Sequence, residues 1–511
     1  MPIFMPAPKF RLLLGMLSIL VAAGCGTGGG SSTLNQPMGN FSAGTLNGSY
    51  VYQIHGLAFN GNLGTFIPYR EIGVFTADGA GNITAGTDDS SFGATGTAIT
   101  GSYSVSSAGI GTVTFNTSSL GIPLNFGITV SSSSQVQMIE INNTLNGSAA
   151  TLNGGGTAQL QDPAAAGTTP TGSFVFRLHQ DQSAQNTNEE ASEVGAFTLS
   201  GGNGSGAMDQ DFNATFTASP DLITMAFNAP LGGRGTGTLD DTTASFVTDF
   251  VYYVVNSGQL LLLVDNGGAV GSGSAEAQTG VSSSTGLSGS YAFGSRGDDV
   301  STGTDGVAAV GQFTATSGAI SGTQDTMVDG NFTGNQNFSS CFAVGSAGGM
   351  NGRVSVIASG SAPCSGTPSQ VFWMVNPNRA FFLDNSGLTF QDGIADLQTT
   401  NSFSASTFKG QFALGMDGVD LVNGQTLSRV GAMQFDGSKG LNLSEDTNST
   451  LNGFNQQAVS GTYSASSNGR VTGTLNGGGL DIVMYAVSGS QAYILQGNSG
   501  FITSGTLLLQ Q

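Results

Sequence analysis

The sequence predicts an all-β protein of four tandem antiparallel modules, each an eight-stranded barrel. One phrase, a glycine followed two residues later by an aromatic side chain, recurs at intervals of about 120 residues, a common domain size. Short alternating segments with turn residues between them fill each interval, and no stretch beyond residue 24 has a helical period with caps. The copies open at Gly48, Gly172, Gly289 and Gly410 and close on Gln161, Gln278, Gln398 and Gln510.

The composition is typical of an exported β protein rather than a disordered chain. Among 511 residues there are 81 glycines and only 9% charged residues, while 38% are hydrophobic and 32 are phenylalanine. That apolar content is too high for a disordered linker, and a module of this length can bury its own core. The predicted modules span 46–162, 171–279, 287–399 and 408–511.

The charge excludes one class of partner. The formal net charge is −20, and beyond the first 24 residues the only lysines are Lys409 and Lys439. Nucleic acids require a basic surface, so nucleic-acid binding is not expected. Anionic lipids would also repel the chain, so any membrane attachment must be covalent or hydrophobic.

Residues 1–24 have the form of a secretory signal peptide, with Lys9 and Arg11 before an apolar run from Leu12 to Ala23. The ending 20–25, Leu-Val-Ala-Ala-Gly-Cys, resembles the lipobox of bacterial lipoproteins, with Ala22 where leucine is usual. The resemblance implies that Cys25 is acylated and becomes the first residue of an exported protein, anchored to the outer membrane or cell surface. The alternative is an ordinary signal peptide that happens to precede Cys25. Residues 25–45, rich in glycine and serine, predict a flexible tether.

In the first copy we expect strands at 48–57, 71–77, 83–90, 98–106, 112–116, 124–131, 136–142 and 156–161. In the later copies the sixth and seventh strands are apolar on both faces, as in 250–255 and 260–264. Such runs predict packing outside the module as well as inside it, against the neighbouring copy.

The openings of the copies resemble the calycin group of small barrels, the lipocalins and avidins, whose first strand starts with a Gly-x-Trp phrase; here tyrosine or phenylalanine replaces the tryptophan. The resemblance implies closed up-and-down barrels, some of which hold one small ligand. Tandem β-sandwiches are the alternative, although the Cys…Trp…Cys signature of immunoglobulin domains is missing. Tyr50, Tyr52, Phe75 and Phe126 could line a pocket in the first copy or fill its core.

Cys341 and Cys364 are the two cysteines left in the third copy. In an exported protein such a pair predicts a disulfide, which would stabilise by roughly 3 kcal/mol through loop closure. A metal site or a nucleophile is the alternative.

Acidic residues recur near the end of the third strand. Counted from the glycine of the second strand, the set is Asp88, Asp209, Asp325 and Glu445, with Asp89, Asp211 and Asp446 close behind. Calcium binding is one interpretation, with Asp88, Asp89, Asp209 and Asp211 as the ligands. The other is that the aspartates cap turns and keep strand ends soluble. A second set, Glu140, Asp265, Asp384 and Gln496, follows the seventh strand, and a carboxylate pair of a hydrolase could lie among these acids.

A third recurrent position lies seven residues after each opening glycine and holds His55, His179, Arg296 and Asp417. Because its residues vary in charge, we expect a solvated strand position. The sequence contains none of the common hydrolase, zinc-protease or phosphate-loop motifs.

These patterns predict a non-catalytic cell-envelope lipoprotein that acts in binding, adhesion or surface display, with no cofactor. Its expected partners are the membrane, through Cys25, and a surface glycan, a protein or a small apolar ligand. A carrier of an apolar ligand or glycan is the alternative function, and a carboxylate-based hydrolase comes after it.

Overall fold

Each copy closes into its own antiparallel barrel in the computed structural model of the chain, which confirms the predicted fold class. Closure pairs the first and last strands of each barrel, and the sandwich alternative is wrong. The structure describes residues 40–60, 65–91, 96–141, 143–145, 150–182, 190–212, 215–216, 219–266, 269–299, 305–358, 364, 366–385, 389–400, 402–450 and 452–511.

Barrel 1 pairs eight strands in chain order, with two short additional strands, β4 and β9, at its rim. Its strands are β1 (Asn47–Asn60), β2 (Thr65–Asp78), β3 (Asn82–Ser90), β4 (Thr97–Ala98), β5 (Gly101–Val105), β6 (Ile110–Phe115), β7 (Leu124–Ser132), β8 (Gln135–Glu140), β9 (Asn143–Leu145) and β10 (Ala150–Leu160). A 3-10 turn, Ala43–Thr45, precedes them.

Barrel 2 has the same order, with β14 as a short additional strand. Its strands are β11 (Gly172–Gln182), β12 (Glu190–Ser200), β13 (Asn203–Phe212), β14 (Thr215–Phe216), β15 (Asp221–Phe227), β16 (Arg234–Asp241), β17 (Phe246–Asn256), β18 (Gln259–Val264) and β19 (Ala269–Ala277).

Barrels 3 and 4 contain eight strands each and close without additional strands. Barrel 3 comprises β20 (Gly289–Asp299), β21 (Asp305–Thr316), β22 (Ala319–Val328), β23 (Asn331–Ala347), β24 (Met350–Ile357), β25 (Gln370–Asn376), β26 (Arg379–Asn385) and β27 (Thr389–Leu397). Barrel 4 comprises β28 (Lys409–Asp420), β29 (Gln425–Asp436), β30 (Gly440–Ser449), β31 (Gly453–Ala465), β32 (Arg470–Leu475), β33 (Leu480–Ala486), β34 (Gln491–Gln496) and β35 (Phe501–Leu509), with 3-10 turns at Ala405–Thr407 and Asn476–Gly478.

The two faces of each strand go to different places. In β1, Tyr50, Tyr52 and Ile54 lie in the core of barrel 1, while Val51 packs outward among residues of barrel 2. The same period of two applies in β17, where Tyr252 points inward and Tyr253 outward. The strands that are apolar on both faces therefore bury one face in the core of their own barrel and the other against the neighbouring barrel, as the sequence predicts.

The four barrels, which lie within one compact unit of residues 37–511, form a closed ring. The first two strands of each barrel pack against the sixth, seventh or eighth strand of the next, and barrel 4 packs in the same way against barrel 1. The contacts are β1 and β2 with β17 and β18, β12 with β26 and β27, β20 and β21 with β33 and β34, and β28 and β29 with β7 and β8.

A glutamine that ends each copy connects it to the next barrel. The side-chain amide donates to backbone carbonyl oxygens near the end of the sixth strand of that barrel and, in three of the four cases, also near the start of its fifth strand. The bonds are Gln161 to Val254, Gln278 to Met374 and Asn351, Gln398 to Ala486 and Asn468, and Gln510 to Val130 and Ala108, at 2.6–3.2 Å. The last of them returns from the end of the chain to barrel 1.

The signal peptide at 1–24, Cys25 and the tether up to residue 39 lie outside the described residues. The packed chain begins before the predicted module start at residue 46. Phe41 and Ala43 pack against the core of barrel 1, and the Tyr103 hydroxyl donates to the carbonyl oxygen of Ala43 at 2.9 Å.

Candidate functional site

Three of the four ring interfaces share a buried group of one aspartate, one arginine and one aromatic side chain. The aspartate belongs to the third strand of one barrel, and the other two residues belong to the fifth and sixth strands of the next. The groups are Asp89 with Arg234 and Tyr253, Asp209 with Arg353 and Trp373, and Asp325 with Arg470 and Tyr485. We call each an Asp–Arg–aromatic group.

The geometry is the same in all three groups. The arginine donates through Nε and Nη2 to both oxygens of the carboxylate, at 2.5–2.8 Å. The aromatic hydroxyl or indole N–H donates to the same carboxylate at 2.5–2.8 Å. A bidentate pair of this kind is both strong and directional, and it satisfies a carboxylate that is shielded from water. Burial and the neighbouring Asp89 raise the pKa of Tyr253 well above its usual value.

Strand alternation separates Asp88 from Asp89. Asp88 points into barrel 1, while Asp89 points toward barrel 2. The grouping of Asp88 with Asp209 and Asp325 is wrong, because a register shift between Thr76 and Ala77 displaces the count in this copy. The residues opposite the second strand at the matching position are Asp89, Asp209, Asp325 and Asp446.

The calcium candidates do not converge on one site. Asp88 accepts hydrogen bonds from Tyr52 and from the backbone N–H of Ser119. Asp89 and Asp209 each form an ion pair with an arginine of the next barrel. Asp211 is buried, with no hydrogen-bond partner at either oxygen. Among the residues that the structure describes, no group of three or more His, Cys, Asp or Glu could hold a metal ion. The calcium interpretation therefore gains no support.

Burial and the nearby Asp384 raise the pKa of Asp211 to about 7. Desolvation disfavours the charged form of a carboxylate, and a second acid increases that effect. Asp384 itself accepts from Gln370 at 2.9 Å near the end of barrel 3. Two acids thus approach each other near the interface between barrels 2 and 3.

The second set of acidic positions, at the seventh strands, is also not equivalent in all four copies. Glu140, Asp384 and Gln496 occupy equivalent positions in the seventh strands, whereas Asp265 follows its strand by one residue and is exposed. The residue that matches Glu140 in barrel 2 is Val264. The position therefore points into the barrel, and each barrel has a different type of side chain there.

The position seven residues after each opening glycine lies at the centre of the ring and is paired, although His55 and Arg296 keep side-chain exposures of 37% and 40%, so it is partly solvated as expected. His55 of barrel 1, Arg296 of barrel 3 and Asp417 of barrel 4 meet there. Nε2 of His55 lies 3.0 Å from Oδ2 of Asp417 and 2.8 Å from Nη1 of Arg296. Arg296 also donates to Asp417 at 2.7 Å. Barrels 1, 3 and 4 are therefore in contact at one point.

Barrel 2 completes this axial cluster, whose members are His55, Arg70, Arg177, His179, Asp181, Arg296, Asp392 and Asp417. Arg70 pairs with Asp181, and Arg177 pairs with Asp392 at 2.8 Å. His179 lies between the two acids, with Nδ1 3.1 Å from Asp392 and Nε2 3.4 Å from Asp181. The ion pairs join all four copies.

The pKa values of the axial cluster reflect this pairing. Burial alone would lower the pKa of His179, but its contacts with Asp181 and Asp392 outweigh burial and raise the pKa well above its usual value. Burial alone would raise the pKa of Asp392 and of Asp417, but their cationic partners hold both well below the usual range. The cluster is therefore mainly charged, and each charge has an opposite neighbour.

The fourth interface, between barrels 4 and 1, has no Asp–Arg–aromatic group. Its acid is Asp446, which is buried and whose Oδ2 has no partner. In barrel 1 the positions of the arginine and the aromatic residue hold Ile110 and Thr129. Burial therefore raises the pKa of Asp446.

Amide groups connect barrels 4 and 1 instead. Asn153 donates to the carbonyl oxygen of Asn448 at 2.8 Å and accepts from the hydroxyl of Ser428. Asn448 donates to the carbonyl oxygen of Glu140 at 2.8 Å, and Gln137 donates to Thr506 at 3.1 Å. These bonds involve no charged side chain, so apart from the contact of His55 with Asp417 this interface closes on neutral hydrogen bonds.

The interior of barrel 1 contains three fully buried acids. Tyr52 donates to Glu71 at 3.0 Å and to Asp88 at 2.7 Å, and Tyr69 donates to Glu71 and to Glu140. Burial raises the pKa of Glu71 well above its usual value and that of Glu140 to about 8. The tyrosine hydroxyls thus supply hydrogen bonds to acids that water does not reach.

The predicted pocket residues of barrel 1 pack against one another. Tyr50 stacks on Phe75 with ring centroids 5.6 Å apart, and Tyr52 lies 6.4 Å from Phe126. All four are at most 1% exposed. They fill the barrel, and a cavity of about 280 Å³ lies elsewhere, between the linker 162–171 and the turn at Asn256.

Cys341 and Cys364 are joined by a disulfide, with their Cα atoms 5.7 Å apart. Cys341 lies in β23, and Cys364 lies in the connection between β24 and β25. In the part of the chain that the structure describes, no helix is both long and apolar enough to cross a membrane.

Sequence reasoning missed Arg234, Arg353 and Arg470, although a signal was present. Each follows a glycine at the start of the fifth strand, and Gly109 precedes Ile110 at the matching position of barrel 1. All four glycines have φ between 80° and 93°. A side chain on Gly109, Gly233 or Gly469 would also meet the closing glutamine of the preceding barrel within 2.8 Å.

No protein-family model and no curated protein matches the sequence. Among solved structures, the chain is similar to intact Ap-TbpB with its N and C lobes, at 9% identity over 75% of this chain and 85% of that one, with a TM-score of 0.19. It is also similar to a mutant of Transferrin Binding Protein B from Haemophilus parasuis Hp5, at 9% identity over 75% and 82%, with a TM-score of 0.17. Similarity this low supports no conclusion about function.

Proposed function

We propose that this chain is a non-catalytic lipoprotein of the cell envelope, anchored through Cys25 and acting in binding, adhesion or surface display. The observation that carries the proposal is the closed ring of four filled barrels behind a lipobox-like leader. A ring joined through ion pairs and hydrogen bonds on every side is a rigid body, as a display scaffold requires.

The use of arginine supports a scaffold. Of the eight arginines in the part of the chain that the structure describes, seven pair across barrels, and the eighth, Arg429, pairs with Glu445 inside barrel 4. Few cations are left for the outer surface of a chain with net charge −20. A strongly anionic partner would be repelled, so the partner is expected to be neutral or cationic.

The environment of the acids argues against hydrolysis. Glu71, Asp88 and Glu140 form a group of carboxylates inside barrel 1, and all three are 0% exposed. Substrate cannot reach them, and two tyrosine hydroxyls already bond to them. Carriage of a small ligand has more support, because barrel 2 has exposed aromatic side chains at one end.

The anchor is tested with Cys25→Ala in cells that export the chain. We expect the wild type in the membrane fraction and labelled by a palmitate analogue, and the variant released and unlabelled. A variant with Cys341 and Cys364 both changed to serine is the control and should remain in the membrane fraction. If the Cys25 variant still sediments with membranes and carries the label, the proposal is wrong.

A further inference from the structure

Barrel 2 carries a layer of polar side chains inside one end. They lie beyond the aromatic core on the inward faces of the strands, as Gln180 does two residues after Leu178. The layer consists of Gln180, Glu193, Gln210, Asp221, Asp241 and Thr248. Three carboxylates thus lie in one barrel end and are only 2–6% exposed.

Both side-chain amides of this layer donate to one of its acids. Nε2 of Gln180 donates to Oε1 of Glu193 at 2.9 Å, and Nε2 of Gln210 donates to Oδ2 of Asp221 at 3.0 Å. Asp241 accepts from the backbone N–H groups of Thr243 and Ala244. What the layer still offers to a ligand is mainly acceptor oxygens.

Two of these oxygens have no partner although they are buried. They are Oε2 of Glu193 and Oγ1 of Thr248, whose residues are 4% and 1% exposed. Both side chains follow the inward period of their strands, since Thr248 precedes the core residue Phe250 by two. A buried acceptor without a donor costs free energy, so a donor that entered this end would be stabilised.

No described basic side chain of barrel 2 faces this layer. Arg177, His179 and Arg234 point outward to the ring interfaces. Barrel 4 differs, because Arg429 occupies the position of Glu193, two residues before the second-strand glycine, and pairs with Glu445 at 2.9 Å. Burial, Asp241 and Asp221 together raise the pKa of Glu193 to about 7, as expected for a buried acid near two others.

The rim of the same end is aromatic and open to solvent. Phe212 and Phe246, each two residues beyond a polar residue of the layer, are 41% and 53% exposed. Leu222 and Val247, on the outer sides of neighbouring strands, are 52% and 48% exposed. An apolar rim over a buried negative site is complementary to a molecule that has an apolar part and a cationic head.

We propose that this end of barrel 2 binds an organic ammonium ion with an aromatic or aliphatic tail. An ammonium group has three donors and no acceptor, which fits a layer with acceptors to spare, and Phe212 and Phe246 can contact both cation and tail. A neutral glycan fits less well, because its hydroxyls carry no charge to balance the three carboxylates. The inference rests on the proposed binding function and names its site.

The test is fluorescence titration of the exported full chain with dansylcadaverine, an aromatic primary ammonium. We expect saturable binding, and neutral dansylamide should bind on the order of tenfold more weakly because the charged hydrogen bond is lost. Glu193→Gln keeps the contact with Gln180 and should weaken dansylcadaverine binding by a similar factor. Asp240→Asn, which changes an outward acid of the same barrel, should leave it unchanged.

Phe246→Ala alters only the exposed rim and should also weaken binding, so the test does not depend on how Glu193→Gln folds. Absence of saturable binding, equal binding of the neutral probe, or binding that survives both the Glu193 and the Phe246 substitution would each overturn the proposal. Binding of an unmodified oligosaccharide at this end with no ammonium binding would also overturn it. Because the Cys25→Ala test reads lipidation alone, failure here is separable from failure of the proposed function.

Discussion

Three interfaces of the ring and the fourth perform the same task with different chemistry. Between barrels 1 and 2, 2 and 3, and 3 and 4, a buried aspartate is neutralised by an arginine of the next barrel. Between barrels 4 and 1, Asp446 faces no arginine, because barrel 1 has Ile110 at the position where the other barrels have the arginine. The closing glutamine is common to all four interfaces.

The glutamine hydrogen bonds and the Asp–Arg–aromatic groups differ in how many interfaces contain them. Neutral hydrogen bonds from the glutamine recur at every interface, so they belong to the shared geometry of the ring. The charged group is present in three of four, so it is an addition to that geometry. Once an arginine and an aspartate are buried together, however, each depends on the other, since either one alone would be an uncompensated buried charge.

The largest effect is expected from breaking one charged interface. Arg353→Met leaves Asp209, which is 1% exposed, without its cation, and should lower the free energy of unfolding by about 3–5 kcal/mol in urea denaturation. Lys439→Met, at an exposed lysine, is the control and should change it by less than about 0.5 kcal/mol. A loss at Arg353 no larger than that of the control would show that the group contributes nothing.

A smaller effect, of opposite sign at the two kinds of interface, is expected for neutralising the acid. Asp325→Asn weakens the bonds to Arg470 and Tyr485 and should cost about 1–3 kcal/mol. We expect Asp446→Asn to be neutral or stabilising at pH 8. Burial raises the pKa of Asp446 in the folded state, so ionisation of this carboxyl lowers the stability of the wild type as the pH rises from the unfolded pKa of about 3.9 through the folded value.

The pH dependence makes this second comparison sharper. The gain from Asp446→Asn should shrink as the pH falls and vanish below the unfolded pKa of about 3.9, where the carboxyl is protonated in both states. Thermal unfolding of wild type and variant at pH 4 and pH 8 measures it. A destabilised Asp446→Asn at pH 8 would contradict the assignment of an uncompensated carboxylate.

The smallest effect tests whether the ring is closed in solution. Gln398→Ala and Gln510→Ala remove equivalent hydrogen bonds, at an ordinary and at the closing interface, and each should cost about 1–2 kcal/mol in urea denaturation. Gln434→Ala changes a partly exposed glutamine of barrel 4 and is the control. If Gln510→Ala matches the control while Gln398→Ala does not, barrels 4 and 1 are apart in solution.

Much of the fold could be predicted because it follows from local patterns. The recurring phrase gave the number of modules, and alternation along β1 separated Tyr50 and Tyr52 from Val51. The apolar runs around Tyr253 predicted contact with a neighbouring copy. Each of these signals depends on residues close together in the chain, where sequence spacing and spatial spacing agree.

The candidate sites could be predicted only in part. The acids were visible, but a register shift next to Ala77 moved the equivalent residue from Asp88 to Asp89, and spacing alone does not reveal such a shift. The arginines that pair with the acids lie 144–145 residues away in the sequence. The polar layer of barrel 2 appears only when the inward faces of several strands are assembled.

By itself, then, the sequence determined a chain of similar β modules and an acidic character, and it predicted an export signal with a cysteine at its end, because these are properties of composition and of short-range period. Tertiary structure alone decided that the modules form a ring, that His55, Arg296 and Asp417 meet at its centre, and that Gln510 returns to barrel 1. The physical reason is that an ion pair or a buried amide has a partner only once two distant strands are packed together.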